Sequence, residues 1–401
     1  MTHRENTMLE RAKEIEELLV NWRRDIHMYP ELGFQETRTA ALVADTLRPI
    51  GYHVRTGVGR TGVVAELGEG HPIVAIRADM DALPIQETNG VPYASRIPGV
   101  MHACGHDTHV AIAMGVATLL AQETFPGTIR FLFQPSEEKV DDEGISGAPR
   151  MVEDGAMEGV DAVLALHVDA ALPVGDIIVN SGVAAAGVDT LRATITGHGG
   201  HGASPHKTID PIYLAAHVVL ALHGIVSRRT NPFDPAVITV GSIHAGKAEN
   251  VIPESAELTA TIRYMQPELQ TLLHAEIVRA LSVARALGGD FEHEIELGYP
   301  PMVNDAHVTD LIRGAATDLL GAGHIASPER TMGAEDFGYF TVLAPGAMFS
   351  LGCQIEGDTR LLHNPRFDVD ERCLPIGAAI MALAALRILR PESGHKPGLL
   401  G

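Results

Sequence analysis

Aromatic residues are scarce in this chain, which has one Trp and only 4% Phe, Trp and Tyr together in 401 residues. Cysteine is scarcer still: Cys104, Cys353 and Cys373 are the only three. An odd and small count, with no Cys-x-x-Cys pair, excludes a disulfide scaffold, a zinc ribbon and a thioredoxin-like redox site. Positive charge is also short. Lys and Arg total 30 against 51 Asp and Glu, a net charge of −21 with His neutral. A general nucleic-acid or anionic-membrane binder would carry a basic face, so neither role is expected. The most apolar late stretch, Ile376 to Leu389, is about 14 residues with Arg387 inside it, short of the about 20 a membrane helix needs. The N-terminal segment carries Leu9, Ala12, Ile15, Leu19 and Trp22 on one stripe of a charged helix. It has no apolar core of a signal peptide. A soluble, cytoplasmic protein is expected.

What is present is an ordinary globular composition, 45% hydrophobic and 20% charged, which excludes disorder, collagen and coiled coil. At roughly 100–200 residues per domain the length implies two to four domains. The unusual count is histidine, 20 residues, and placement decides whether it matters.

Residues 1–184 alternate helical patterns (8–28, 36–48, 108–122) with apolar β-type runs at Gly62–Leu67, Ile73–Ala78, Thr128–Phe133 and Asp161–Leu166. That alternation predicts an α/β domain with a mixed, largely parallel sheet. The middle differs. Strands at Asp189–Thr196, Ala236–Ile243, Glu257–Met265 and 291–297 interleave with helices at Ile209–Ser227 and Pro267–Leu287. The order β-α-β-β-α-β is that of a ferredoxin-like unit, expected as an insertion over 185–298. Helical and strand patterns resume over 299–401, near 305–320, 347–352 and 374–390, so the outer domain is expected to be discontinuous.

Two glycine motifs are decoys. Gly57-Val-Gly59-Arg-Thr-Gly62 has the dinucleotide spacing, but a strand rather than a helix follows it. The run Gly241 to Lys247 resembles a phosphate loop, yet Ala248 stands where a metal-binding hydroxyl is required.

Five segments concentrate metal-capable side chains. They are RADMDALP with Asp79 and Asp81; MHACGHDTH with His102, Cys104, His106, Asp107 and His109; FLFQPSEE with Glu137 and Glu138; LALHV with His167; and LLHNP with His363. Three of them close predicted strands, the edge where open α/β sheets place their functional crevice. Taken singly, each has a bland explanation: a structural His, a solvated Glu pair, a packed thiol. Jointly they form a thiolate, imidazole and carboxylate set suited to zinc, manganese or a similar divalent ion. No His-Glu-x-x-His helix occurs, so the site would be built from loops, for one metal or two. Of two adjacent glutamates, one can bind metal while the other handles protons.

These segments, with RRDIHMYPELGFQE (23–36), GHGGHGASPH (197–206), ENVIPESAELTATIR (249–263) and GAEDF (333–337), follow one another in the order of a known family. Together they resemble the amidohydrolase branch of the aminoacylase/carboxypeptidase metallopeptidases, over about residues 15–390. The resemblance implies a catalytic domain around two divalent metals and an inserted lid that also dimerises. It implies Cys104, His106, Glu138, His167 and His363 as metal ligands, with Glu137 as general base. Asp81 matches an acid beside the metals, and Asp79 is a weaker candidate for that part. His201 matches a histidine that reaches the neighbouring subunit's site and stabilises the oxyanion. Asn250 and Arg263 resemble residues holding the substrate's carboxylate.

The implied activity is cleavage of N-acyl amino acids by metal-activated water, or alternatively a carboxypeptidase action on short peptides. More remote are a Cys104 nucleophile paired with His106 or His109, and a non-catalytic metal binder, which should lack a ligand or the base. One departure stands out. An acidic segment from Lys139 to Gly147 follows the glutamates where relatives often have a glycine-rich turn.

Overall fold

The computed structural model describes residues 7–327 and 331–390. Along the chain run α1 (Met8–Glu14), α2 (Glu16–Met28), α3 (Thr37–Leu47), β1 (His53–Val58), β2 (Gly62–Glu69), β3 (Ile73–Asp79), α4 (His106–Leu120), β4 (Gly127–Gln134), α5 (Gly147–Glu153), β5 (Ala162–Pro173) and β6 (Ile177–Ile178). Next come β7 (Gly182–Ala185), β8 (Gly187–Thr196), β9 (Gly200–His201), α6 (Pro211–Arg229), β10 (Ala236–Ala245), β11 (Val251–Ile252), β12 (Ser255–Tyr264), α7 (Pro267–Leu281), α8 (Val283–Ala286) and β13 (Asp290–Leu297). The chain closes with β14 (Met302–Asn304), α9 (Ala306–Leu320), α10 (Gly338–Thr341), β15 (Gly346–Gln354) and α11 (Cys373–Leu389).

Two compact units result. Among the described residues, one takes 7–182, 303–327 and 339–390; the other takes 183–302 and 331–338.

The first unit is built on a seven-stranded sheet in the order β1-β2-β4-β3-β5-β15-β6. Its centre is parallel, through β4–β3, β3–β5 and β5–β15. Its flanks are antiparallel, through β1–β2, β2–β4 and β15–β6. The sheet is therefore mixed, as expected, but less parallel than the strand–helix alternation implied. The difference lies at the edges. β1 is mostly exposed, so it has no apolar run to read in the sequence, and it joins β2 by a hairpin turn through the Gly57–Gly62 motif. β4 is buried along its whole length, as a central strand covered on both faces must be. Helices α4 and α11 are apolar on nearly every side and pack against each other, which makes them core helices rather than amphipathic covers.

The expected helix over 8–28 is two helices. Thr7 and Glu10 form a capping box at the start of α1, and Ile15 leaves helical geometry at φ −106° and ψ 11°. The expected helix to Leu287 likewise divides at Ser282 into α7 and α8.

The second unit has a four-stranded, wholly antiparallel sheet in the order β10-β12-β8-β13, and its main elements follow as β-α-β-β-α-β. Alternate residues of β8 and β12 are buried, the period of a sheet with one face on the core. Asp210 caps α6 and Pro211 starts it, a pairing that satisfies one orphan amide and removes another. By length and composition α6 could cross a membrane. Its Leu214, Val218, Leu222 and Ile225 instead fill the core with Leu191, Ile195, Leu258 and Ile277.

Candidate metal centre

The centre is assembled where the parallel strands of the first unit end. β3 stops at Asp79 and β4 at Gln134, so Asp81 and the Glu137–Glu138 pair sit just beyond those edges. His167 does not close its strand, as its apolar run suggested. β5 continues to Pro173 because β15 pairs with it alongside, Ser350 opposite His167. Its pairing with β3 ends earlier, at Ala165, and His167 stands beyond that end. Cys104 and His106 flank Gly105, which precedes α4 with φ +91°. A Cβ there would lie 2.3 Å from Val168 Cγ2, so both conformation and space require glycine.

Five expected ligands converge with Glu137. Cys104, His106 and His167 form one set; Cys104, Glu138 and His363 another; His106, Glu137 and Glu138 a third, and in each the ligand atoms lie within 4.8 Å of one another. Cys104 Sγ is 3.5 Å from His167 Nε2, and His363 Nε2 is 3.0 Å from Glu138 Oε1.

Asp81 organises this cluster. Its Oδ1 accepts from the Glu137 amide and its Oδ2 from the Glu138 amide, both at 3.0 Å. His106 Nδ1 approaches the Asp81 carbonyl at 2.9 Å and its Oδ1 at 3.2 Å. Both atoms are acceptors, so Nδ1 carries the proton, the arrangement typical of a metal-binding imidazole. His106 Nε2 is then buried without a hydrogen bond among the described residues. His167 repeats the pattern, with Nδ1 against the Val168 carbonyl at 2.8 Å and Nε2 facing Cys104.

The donor set fits a pair of borderline cations. A buried imidazole nitrogen with no hydrogen bond, and only Asp79 Oδ2 near it at 3.5 Å, is costly, and a cation would satisfy it. Burial pushes the Cys104 thiol well above its ordinary range despite the opposing pull of His106. Burial would likewise raise Glu138, but His363 holds it below the usual carboxylate range. A thiolate in this pocket therefore calls for positive charge beside it. Sulfur, three imidazoles and a carboxylate are the ligands zinc, manganese and their neighbours take.

A further group, Asp79, His106 and His109, also clusters, but His109 is spent. Its Nε2 accepts from the Val168 amide at 2.9 Å and its Nδ1 donates to Asp79 Oδ1 at 2.6 Å. Burial lowers the His109 pKa to about 4 although Asp79 opposes the shift, so the ring is neutral. Asp79 in turn takes Arg77 Nη1 at 2.6 Å. Asp81, rather than Asp79, is the acid touching both glutamates. The sequence marks His109 only as a remote partner for a Cys104 nucleophile, and the structure gives it a positioning place instead. Its signal was its place one helical turn after His106.

The acidic segment after Glu138 is partly neutralised by arginines from outside it. Asp141 accepts from the Glu143 and Ile145 amides and pairs with Arg60 and Arg150 at 2.5 and 2.8 Å.

Three expected residues lie in the second unit. His201 is exposed on β9, and its Nδ1 accepts from the Ala203 amide at 3.0 Å. Asn250 is exposed beside it: the Asn250 carbonyl accepts from the Gly202 amide at 2.8 Å, and Val251 pairs with His201. Arg263 does not join them. It stands near the other end of β12, donating to the Met332 carbonyl at 2.8 Å.

Residues 75–387 match peptidase family M20/M25/M40. The chain is 40% identical to thermostable carboxypeptidase 2 of Saccharolobus solfataricus, over 94% of this chain and 96% of that one. It is 39% identical to IAA-amino acid hydrolase ILR1-like 2 of Arabidopsis thaliana, over 96% and 89%. A solved structure, the YXEP protein of Bacillus subtilis, a dinuclear metal binding peptidase from the M20 family, superposes with a TM-score of 0.82 at 34% identity, over 94% and 99%. With a full set of metal-capable side chains gathered at its sheet edge, the chain belongs to peptidase family M20/M25/M40 and is a metal-dependent hydrolase of amide or peptide bonds.

Proposed function

We propose that this hydrolase cleaves the amide bond of N-acyl amino acids, with Glu137 as general base. The observation that carries the proposal is the pair of adjacent glutamates held through their amides by the single Asp81 carboxylate, one beside His363 and both beside His106. Two divalent cations held by Cys104, His106, Glu138, His167 and His363 would supply Lewis acidity, bringing the pKa of water toward neutrality. Glu137 takes the proton of the attacking water and later delivers it to the leaving amine.

The second unit, in this reading, is a ferredoxin-like lid and dimerisation domain. His201 accepts an amide proton at Nδ1, which leaves its proton on Nε2, a donor for the oxyanion in the neighbouring subunit. Losing one such donor costs about 10²–10³ in rate. Asn250 and Arg263 hold the substrate's carboxylate, Arg through its two-pronged fork. Their separation within one unit supports contributions from two copies.

Carboxypeptidase action is the second reading, favoured by the likeness to the S. solfataricus carboxypeptidase. A nucleophilic Cys104 is disfavoured, since reactive thiols are exposed and acidic while Cys104 is buried and its pKa raised. The test is metal content by elemental analysis with activity on hippurate, N-acetyl amino acids and benzyloxycarbonyl dipeptides. The expected result is about two metals per chain, turnover of acyl amino acids, and a Glu137→Gln variant that keeps metal and loses turnover. An active metal-free enzyme, or an active Glu137→Gln, overturns the proposal. Preference for the dipeptides selects the carboxypeptidase.

A further inference from the structure

Four non-glycine residues adopt left-handed backbone geometry among the described residues: Phe34, Arg60, Ser136 and His363, with φ of 60°, 81°, 46° and 60°. Conformations of this kind persist only where the surroundings hold them. His363 is a candidate ligand. Of the other three, Phe34 and Ser136 donate their amides to one buried carboxylate, Glu36, and Arg60 immediately precedes Thr61, which also donates to it.

Glu36 lies immediately before α3 but does not cap its own helix. Its Oε1 accepts from the Phe34 amide at 3.0 Å and from the Ser136 amide at 2.8 Å. Its Oε2 accepts from Thr61 Oγ1 at 2.5 Å. Arg60 completes the arrangement, its guanidinium 4.8 Å from the Phe34 ring centre and 2.5 Å from Asp141. The Gly57–Gly62 motif, rejected as a nucleotide fingerprint, is thereby the turn that brings Thr61 to this carboxylate.

The consequence falls on the glutamates. Three consecutive amides, those of Ser136, Glu137 and Glu138, end on two carboxylates: the first on Glu36, the next two on Asp81. Ser136 must bend into the left-handed region for its own amide to face Glu36 while the following two face Asp81. We propose that Glu36 is a positioning residue for the reaction, fixing the bend at Ser136 that aims Glu137 and Glu138 at the centre. This rests on the reading of Glu137 as base. Burial pushes the Glu36 carboxyl up to about 7, although the Thr61 hydrogen bond opposes the shift. A neutral amide is therefore a fair substitute near neutral pH: Gln can accept both backbone amides on one atom and donate to Thr61 from the other.

The test compares Glu36→Ala, Glu36→Gln and Glu36→Asp with wild type in the metal-loaded enzyme. Steady-state kinetics are run on whichever acyl amino acid the wild type turns over best. Hydrogen–deuterium exchange is followed in peptides covering residues 131–140. In Glu36→Ala, exchange at this segment is expected to be at least about tenfold faster, because a buried amide loses its acceptor. Its kcat is expected to fall about 10–100-fold with KM within about twofold, as for a lost transition-state alignment. Glu36→Gln restores both. If the alanine variant does not fold, Glu36→Asp, one methylene too short to span Thr61 and Ser136, shows the same paired changes at smaller size. Wild-type exchange and kcat in the alanine or aspartate variant overturns the proposal, as does a glutamine variant no better than alanine. Failure of the base reading is separate: it appears as turnover in Glu137→Gln with the exchange effects of Glu36 intact.

Discussion

Removing the positive charge of Arg23 is expected to destabilise the first unit by several kcal/mol at neutral pH, and by less as the pH falls. Arg23 is fully buried on α2. Its Nε reaches Asp107 Oδ2 at 2.8 Å, its Nη2 reaches Asp368 Oδ1 at 2.8 Å, and its Nη1 reaches Glu371 Oε1 at 3.3 Å. In Arg23→Met two of these acceptors keep other donors: Arg24 for Glu371, and Tyr93 Oη for Asp368. Asp107 does not fare so well. It is wholly buried, its Oδ1 has no hydrogen bond among the described residues, and only His27, 2.7 Å from Oδ2, remains to offset its charge. Breaking one partner out of a buried ion pair costs about 3–5 kcal/mol, and the rescue of two acceptors keeps the total within that range.

The pH dependence follows from Asp107. Burial alone would raise its pKa, but Arg23 and then His27 hold it well below the usual carboxylate range. A depressed native pKa contributes stability that is fully present above the unfolded value of about 4 and is lost as pH falls through the native one. Without Arg23 that depression shrinks. The gap between wild type and variant should thus be widest near pH 7 and narrow on acidification, as Asp107 takes up its proton in the variant and then, below about pH 4, in the unfolded chain. Chemical unfolding of both proteins at several pH values measures the gap, and Arg23→Lys, which keeps the charge but not the three-way fork, should fall between them. A gap under about 1 kcal/mol at pH 7, or one that does not change with pH, refutes the reasoning.

Two other substitutions act on the centre itself. Asp81→Asn offers one acceptor oxygen and an NH₂ group to two backbone amides, so one amide faces a donor and the grip on His106 weakens; a loss of about 10–100-fold in metal affinity or activity is expected, read by competition with a chelator and by kcat, and an unchanged affinity would show that Asp81 is not the organiser. Gly147→Ala would place a Cβ 1.6 Å from the Pro135 carbonyl oxygen, which only backbone movement can relieve. A stability loss of about 1–3 kcal/mol is expected, with turnover reduced because the Gly147 amide also donates to the Ser136 carbonyl; wild-type melting and activity would show that the loop yields without consequence.

How much of this was legible in the sequence follows from how far each signal reaches along the chain. β3, β4 and α4 are readable because local burial leaves a local mark, an apolar run of strand length or an apolar helix. The metal-type side chains were conspicuous because they follow those runs directly. β1 left no such mark, being exposed on most of its length, and β5 runs on past His167 and Asp169 because its partner is β15, nearly two hundred residues away. Charges are the extreme case. In a window of ten residues Arg23, Glu36 and Asp107 look like solvated surface, the usual fate of their residue types. Each is buried because its partner comes from elsewhere in the chain: 84 residues between Arg23 and Asp107, 345 between Arg23 and Asp368, 100 between Glu36 and Ser136. A buried charge is tolerable only when such partners meet it, and nothing near it in sequence reports whether they do. The residues that would hold metal could therefore be named from motifs, whereas the residues that hold those residues in place are defined only by the fold.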